Sequence, residues 1–101
     1  MTRVQKLEAV TSLSALKDTI PTTADLWLLA EWMFNLKKMF HQYLPTNDLP
    51  EEIAGLLYVV DGSVLKIVPH ADYAQRIKLA KMMLGIAISN LKATLDIGGI
   101  K

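Results

Sequence analysis

The sequence predicts an all-α protein, a small antiparallel four-helix bundle that forms a single helical domain over residues 1–101. Four segments carry apolar residues at steps of three and four, the spacing of one face of an α-helix. Prolines, glycines and capping residues separate these segments, and the short connections favour antiparallel neighbours. The length of 101 residues is enough for only one domain.

The first two predicted helices are separated by Pro21. The first covers about residues 2–19, and its apolar stripe consists of Val4, Leu7, Val10, Leu13, Leu16 and Ile20. Residues 22–25 match a capping box, in which the Thr22 hydroxyl and the Asp25 carboxylate satisfy free backbone N–H groups. We therefore expect the second helix to start at this box and to run to about Leu44, before Pro45.

The third predicted helix is the ambiguous element. Asp48 and Pro50, followed by two acids, are typical of a helix start, and the apolar spacing continues to Asp61-Gly62. This pattern favours a helix that ends at the glycine. The alternative is an α+β fold with a short β-hairpin around residues 56–68, because Asp-Gly between two β-branched segments is a strong hairpin signal.

The fourth predicted helix is the longest and covers roughly His70 to Asp96. Projected at about 100° per residue, its main apolar face meets the core. That face consists of Tyr73, Ile77, Ala80, Met83, Leu84, Ala87, Ile88, Leu91 and Leu95. A second apolar stripe lies on the other side of the helix, at Leu79, Met82 and Ile86.

The second helix repeats this pattern. Its wide core face runs from Leu26 through Leu29, Trp32, Met33, Leu36, Met39, Phe40 and Tyr43 to Leu44. A separate stripe of Trp27, Ala30, Phe34 and His41 follows spacings of three, four and seven. In an irregular bundle, both of these extra stripes would belong to the hydrophobic core. A chain of this length buries only about 60–70% of its unfolded surface, however, so we expect part of them to be exposed.

Composition narrows the functional classes. Hydrophobic residues make up 51% of the chain and charged residues 21%, which argues against intrinsic disorder. The chain has no cysteine, so disulfides and thiolate chemistry are excluded. The longest charge-free run, Met82–Leu91, is too short for a membrane helix of about 20 residues, and the basic start has no apolar segment behind it. We therefore expect a cytoplasmic protein without membrane contact.

No pattern indicates an enzyme, and we predict no catalytic residue, cofactor or metal. His41 and His70 have no ligand at metal-binding spacing. Glu51 and Glu52 point about 100° apart on a helix and do not converge on one proton. The exposed stripes instead predict a small adaptor, inhibitor or regulator that acts by protein–protein contact. We expect a homo-oligomer, most simply a dimer, and a further protein partner.

The alternative function is a regulator that binds nucleic acid or a small anionic ligand. Lys78, Lys81 and Lys92 lie on one strip of the last helix with no acid between them, and we call these three residues the basic strip. Three lysines would neutralise about three phosphates. The formal net charge of +1 argues against nucleic acid as the main partner, because DNA-binding domains usually carry a clear basic excess.

Overall fold

The computed structural model describes the backbone of residues 2–99 and the side chains of residues 2–95. Within this part of the chain it contains four α-helices and one two-stranded antiparallel sheet. In chain order the elements are α1 (Arg3–Asp18), α2 (Leu26–Tyr43), α3 (Leu49–Leu57), β1 (Tyr58–Asp61), β2 (Val64–Ile67) and α4 (His70–Gly99). The prediction of a mostly helical protein with four helices is confirmed.

The start of α2 differs from the prediction. The capping box over residues 22–25 is wrong, because the helix begins at Leu26 and Asp25 itself is the capping residue. The Asp25 carboxylate accepts a hydrogen bond from the Leu28 N–H at 3.0 Å. A capping box does occur at α1, where Thr2 and Gln5 bond each other's backbone N–H groups.

The third helix is shorter than the favoured prediction. A helix to Asp61-Gly62 is wrong, because α3 ends at Leu57 and a β-hairpin follows, as in the α+β alternative. Arg76 of α4 donates from Nη1 to the Leu56 carbonyl oxygen at 2.9 Å. The Val68 N–H donates to the Leu57 carbonyl oxygen, also at 2.9 Å. A longer helix would need these two carbonyls for its own i→i+4 hydrogen bonds. Both carbonyls are therefore paired outside α3, in agreement with its end at Leu57.

The turn of the hairpin depends on Gly62. Strand register pairs Val60 with Leu65 and Asp61 with Val64, so Gly62 and Ser63 form a two-residue loop. Gly62 has a φ of +66°, and no other described residue has a positive φ. A type II′ turn requires a positive φ at its first loop residue but not at its second. Glycine meets this requirement without steric cost.

All four helices contribute to one apolar core. Both α1 and α3 pack against α2 and against α4. Among the described residues no charged side chain is buried. The most enclosed side chains are Leu13, Leu29, Leu36, Ile53, Leu57, Tyr73 and Leu84. The core face predicted for α4 is confirmed, whereas Leu26 was wrongly assigned to the core of α2 and is 51% exposed.

Two aromatic residues of the core make polar contacts at the end of α1. The buried Trp32 donates from Nε1 to the Leu16 carbonyl oxygen at 2.8 Å. The Tyr73 hydroxyl donates to the Pro21 carbonyl oxygen, also at 2.8 Å. The polar atoms of both side chains are therefore satisfied, and α2 and α4 are both joined to the carboxyl-terminal end of α1.

Replacing Tyr73 with Phe removes the hydrogen bond to Pro21 while keeping most of the ring packing. We expect the free energy of unfolding to fall by about 1 kcal/mol at neutral pH. Urea denaturation followed by circular dichroism measures this change. An unchanged midpoint would mean that the hydroxyl contributes nothing to the fold.

The same variant tests an alkaline effect. Burial, and secondarily Tyr58, raises the pKa of Tyr73 above its usual value of 10.0. The folded protein therefore keeps the phenol protonated when the unfolded chain has lost the proton. Stability is full below about pH 10 and decreases as the pH rises above that value. We expect Tyr73→Phe to show a smaller alkaline decrease than the wild-type protein.

Replacing Gly62 with Ala should destabilise the hairpin by about 1–2 kcal/mol, because a Cβ is unfavourable at positive φ. Open space surrounds this position, so the cost comes from the backbone and not from a clash. NMR cross-peaks between Val60 and Leu65 measure the loss of strand pairing. Ser63→Ala is the matched control, since its φ is not positive, and it should leave the pairing intact.

Candidate interaction surfaces

The stripe of Trp27, Ala30, Phe34 and His41, hereafter the α2 stripe, lies on the outer side of α2. Trp27 is 85% exposed and Phe34 is 65% exposed, and Ala30 and His41 are also exposed. The opposite side of the helix carries the buried core residues. Two large aromatic side chains on the water-facing side of one helix are the most unusual surface feature of the protein.

The first turn of α2 extends this surface. Leu26 and Leu28 are each 51% exposed, so three consecutive apolar residues with Trp27 between them face water. Sequence periodicity missed this cluster because it assigned Leu26 to the core face. The loop before Asp25 does not cover this first turn, and only the tertiary structure reveals that.

The stripe of Leu79, Met82 and Ile86, hereafter the α4 stripe, lies opposite the core face of α4. Leu79 is 39% exposed, and Met82 and Ile86 are 57% exposed. Because α1 and α3 each pack against both α2 and α4, the two outward stripes belong to different sides of the protein. A single partner of small size would not cover both stripes.

The basic strip borders the seam between α1 and α4. Lys78 and Lys92 are exposed, while Lys81 is half-buried. Lys17 of α1 extends onto α4, where its Nζ lies 3.6 Å from the position that a Cβ on Gly85 would take. This separation is an ordinary van der Waals contact and places the Lys17 ammonium group beside the basic strip. Lys17 was missed by sequence analysis because only the packing of α1 on α4 brings it there.

Further basic side chains lie at the far end of the same seam. Arg3 and Lys6 line a shallow cavity together with Thr94 and Leu95. Among the described side chains, the one ion pair joins Lys66 Nζ to Asp61 Oδ2 at 2.9 Å, on the exposed hairpin. The cations of the seam are therefore not neutralised by ion pairs within this part of the chain.

The hairpin presents a third apolar surface. Val60 is 74% exposed and its cross-strand partner Leu65 is 54% exposed. They share a face with Tyr58 and Ile67, which pack against the core at the base of the hairpin. Sequence analysis did not identify this surface because it favoured a helix here.

A cavity of about 250 Å³ lies at the carboxyl-terminal end of α2, beside the α2 stripe. Its lining combines apolar and polar side chains from α2, the following loop and the start of α3. These residues are Lys37, Phe40, His41, Leu44, Pro45, Asn47, Pro50 and Glu51.

Few of the described ionisable side chains are arranged in a way that could support catalysis or metal binding. The Tyr43 hydroxyl donates to Glu8 Oε2 at 3.3 Å, and burial together with this carboxylate raises the pKa of Tyr43. Within the described residues, no three His, Asp or Glu side chains form a group that could hold a metal ion. The two histidines belong to different elements, His41 to α2 and His70 to the start of α4.

Comparisons with protein-family models, with curated proteins and with solved structures found no match to this chain. Over the residues that the structure describes, no helix has both the length and the apolar content needed to cross a bilayer.

Proposed function

We propose that this protein acts by protein–protein contact, as a small non-enzymatic adaptor, inhibitor or regulator, and that it forms a homo-oligomer. The exposure of Trp27 and Phe34 on one helix face carries this proposal. Grouped apolar side chains on a surface usually mark association, and Trp is strongly enriched among residues that dominate binding energy. A symmetric dimer is the commonest form of homo-oligomer.

The two stripes suggest a division of roles. The α2 stripe and the α4 stripe lie on different sides of the protein, so one surface can serve self-association while the other contacts a different protein. The lysines beside the α4 stripe favour a partner with acidic groups around an apolar centre. We further propose a cytoplasmic location for this assembly.

The proposed architecture is the antiparallel four-helix bundle, extended by the hairpin. Its support is the set of helix contacts, in which α1 and α3 each pack against both α2 and α4. In a four-helix bundle each helix likewise packs against two neighbouring helices. In that arrangement α2 and α4 occupy opposite corners, and both have an outward side free for binding.

Replacing Trp27 and Phe34 together with Ala should abolish self-association and leave the folded chain equally stable. Both side chains are mainly exposed, so their removal creates no core cavity. Light scattering should give a mass of at least twice 11.3 kDa for the wild-type protein and 11.3 kDa for the variant. The matched control is Met82→Ala/Ile86→Ala, which removes two side chains that are each 57% exposed on α4 and should leave self-association intact.

A monomeric wild-type protein at concentrations of about 100 μM, far above a typical Kd of about 1 μM, would contradict the proposed homo-oligomer. An oligomer that persists in the double Ala variant would exclude the α2 stripe as its interface. Circular dichroism and the urea midpoint show whether each variant keeps the fold.

A second candidate function is the binding of an anionic ligand or nucleic acid along the seam between α1 and α4. The specific observation in its favour is the position of Lys17 over Gly85, which adds a cation to the basic strip. Arg3 and Lys6 continue the basic character toward the end of α4. Among the described side chains these cations form no ion pair, and a row of such cations attracts phosphates at any sequence.

If this second function is correct, the protein binds mixed-sequence DNA with an affinity that falls steeply with salt. Replacing Lys78 or Lys92 with Ala should weaken binding and reduce the slope of log affinity against log salt by about one for each lysine. Lys66→Ala on the hairpin removes an equal charge elsewhere and should change neither quantity. Absent or salt-insensitive binding, measured by fluorescence anisotropy, would count against this function.

A further inference from the structure

We infer that the α2 stripe is the interface between two copies of this chain, which pack with their α2 helices antiparallel about a two-fold axis at Phe34. This inference rests on the proposed self-association and adds the surface, the orientation and the residue pairs. The charge pattern of α2 and the position of its aromatic side chains support it.

The charges of α2 are separated along the helix. Asp25 and Glu31 lie in the amino-terminal half, whereas Lys37 and Lys38 lie in the carboxyl-terminal half. Antiparallel packing of two copies brings the acidic half of each helix against the basic half of the other. Parallel packing would bring like charges together, so the pattern favours the antiparallel orientation.

The α4 stripe has no charge separation of this kind within its own length. Its residues span 79–86, and Lys81 is the one charged residue in that span. The pattern that favours an orientation between two copies therefore belongs to α2.

A two-fold axis at Phe34 sets the register between the copies. Residues at equal distances before and after Phe34 face each other, so Trp27, seven residues before, faces the partner's His41, seven residues after. The two Phe34 rings meet at the axis.

The same axis pairs Glu31 with Lys38. These residues are seven positions apart, so they lie on the same side of the stripe within about 20°. A two-fold axis perpendicular to the helices places each flank against the same flank of the partner. Glu31 then lies within one residue of the level of the partner's Lys38, and two symmetric ion pairs form. Within the described part of the chain, neither residue has an ion-pair partner.

The partner's Trp27 packs at the level of His41 in this register, because both side chains lie within about 20° of Phe34 around the helix. An indole ring that is 85% exposed in one copy would thus be covered by the carboxyl-terminal end of α2 in the other. Because the contact is symmetric, it occurs twice.

The buried area is compatible with a stable dimer. A fully buried aromatic side chain removes about 150–250 Å² from water. Two Trp27 and two Phe34 side chains would supply a large part of the roughly 1,200–2,000 Å² that specific interfaces bury. Leu26 and Leu28 lie next to Trp27 and can add to this area.

A charge swap tests the geometry. Glu31→Lys and Lys38→Glu should each weaken the dimer about tenfold or more, because each change replaces two attractive pairs with two repulsive ones. The double variant Glu31→Lys/Lys38→Glu rebuilds both pairs with reversed sign and should return the Kd to near the wild-type value. Sedimentation velocity over a concentration series gives the Kd, and circular dichroism verifies the fold.

Two further variants provide independent readouts. Met82→Glu places a charge on the α4 stripe and should leave the Kd unchanged. Phe34→Cys introduces the sole cysteine of the chain, and at the two-fold axis it should form an intermolecular disulfide on mild oxidation. Met82→Cys should form an intermolecular disulfide more slowly than Phe34→Cys.

The outcomes separate this inference from the proposed function. Restoration of the dimer by the double charge swap supports the antiparallel α2 interface. A wild-type dimer that the swap does not restore, or that Met82→Glu disrupts, overturns this interface while leaving homo-oligomerisation in place. A wild-type monomer at every concentration overturns both.

Discussion

The packing of the helices depends on how the backbone carbonyl groups at the ends of α1 and α3 find hydrogen-bond donors. The last carbonyls of a helix have no partner within it and need donors from elsewhere. Trp32 of α2 donates to the Leu16 carbonyl of α1, which also accepts from Thr19, and Arg76 of α4 donates to Leu56 of α3. Tyr73 of α4 donates to Pro21, just beyond α1. These hydrogen bonds act together with the close-packed apolar side chains to fix the register of the helices.

This arrangement leaves the polar groups of the core satisfied and the apolar excess on the outside. No buried side-chain nitrogen or oxygen in the described residues lacks a partner. The protein thus has a complete interior, and its exposed Trp27, Phe34, Met82 and Ile86 are not part of it. Each of α2 and α4 has one face that holds the fold together and another that remains available. The charge separation along α2 distinguishes its free face from that of α4.

The parts of the structure that depend on local periodicity could be predicted from the sequence. Ile77 and Leu84 lie in the core as their spacing indicates, and Trp27 and Phe34 lie outside it for the same reason. The end of α3 was predicted only by the hairpin alternative, because helical periodicity continues past it and the Arg76 donor to Leu56 is twenty residues away along the chain. Lys17 joins the basic strip only through the packing of α1 on α4. The choice of a binding partner depends on the surfaces of two molecules, and one sequence describes only one of them. The partner therefore remains a proposal.

The hairpin gives the molecule two levels of local stability. It is joined to the helices mainly at its base, through α3 and through Tyr58 and Ile67, while its tip is surrounded by solvent. The tip can therefore open without exposing the core, and its amide hydrogens should exchange with solvent at a lower free-energy cost than those of Leu29 or Leu84. When it is open, residues 59–66 become a short extended segment with free backbone donors and acceptors on a stable helical support.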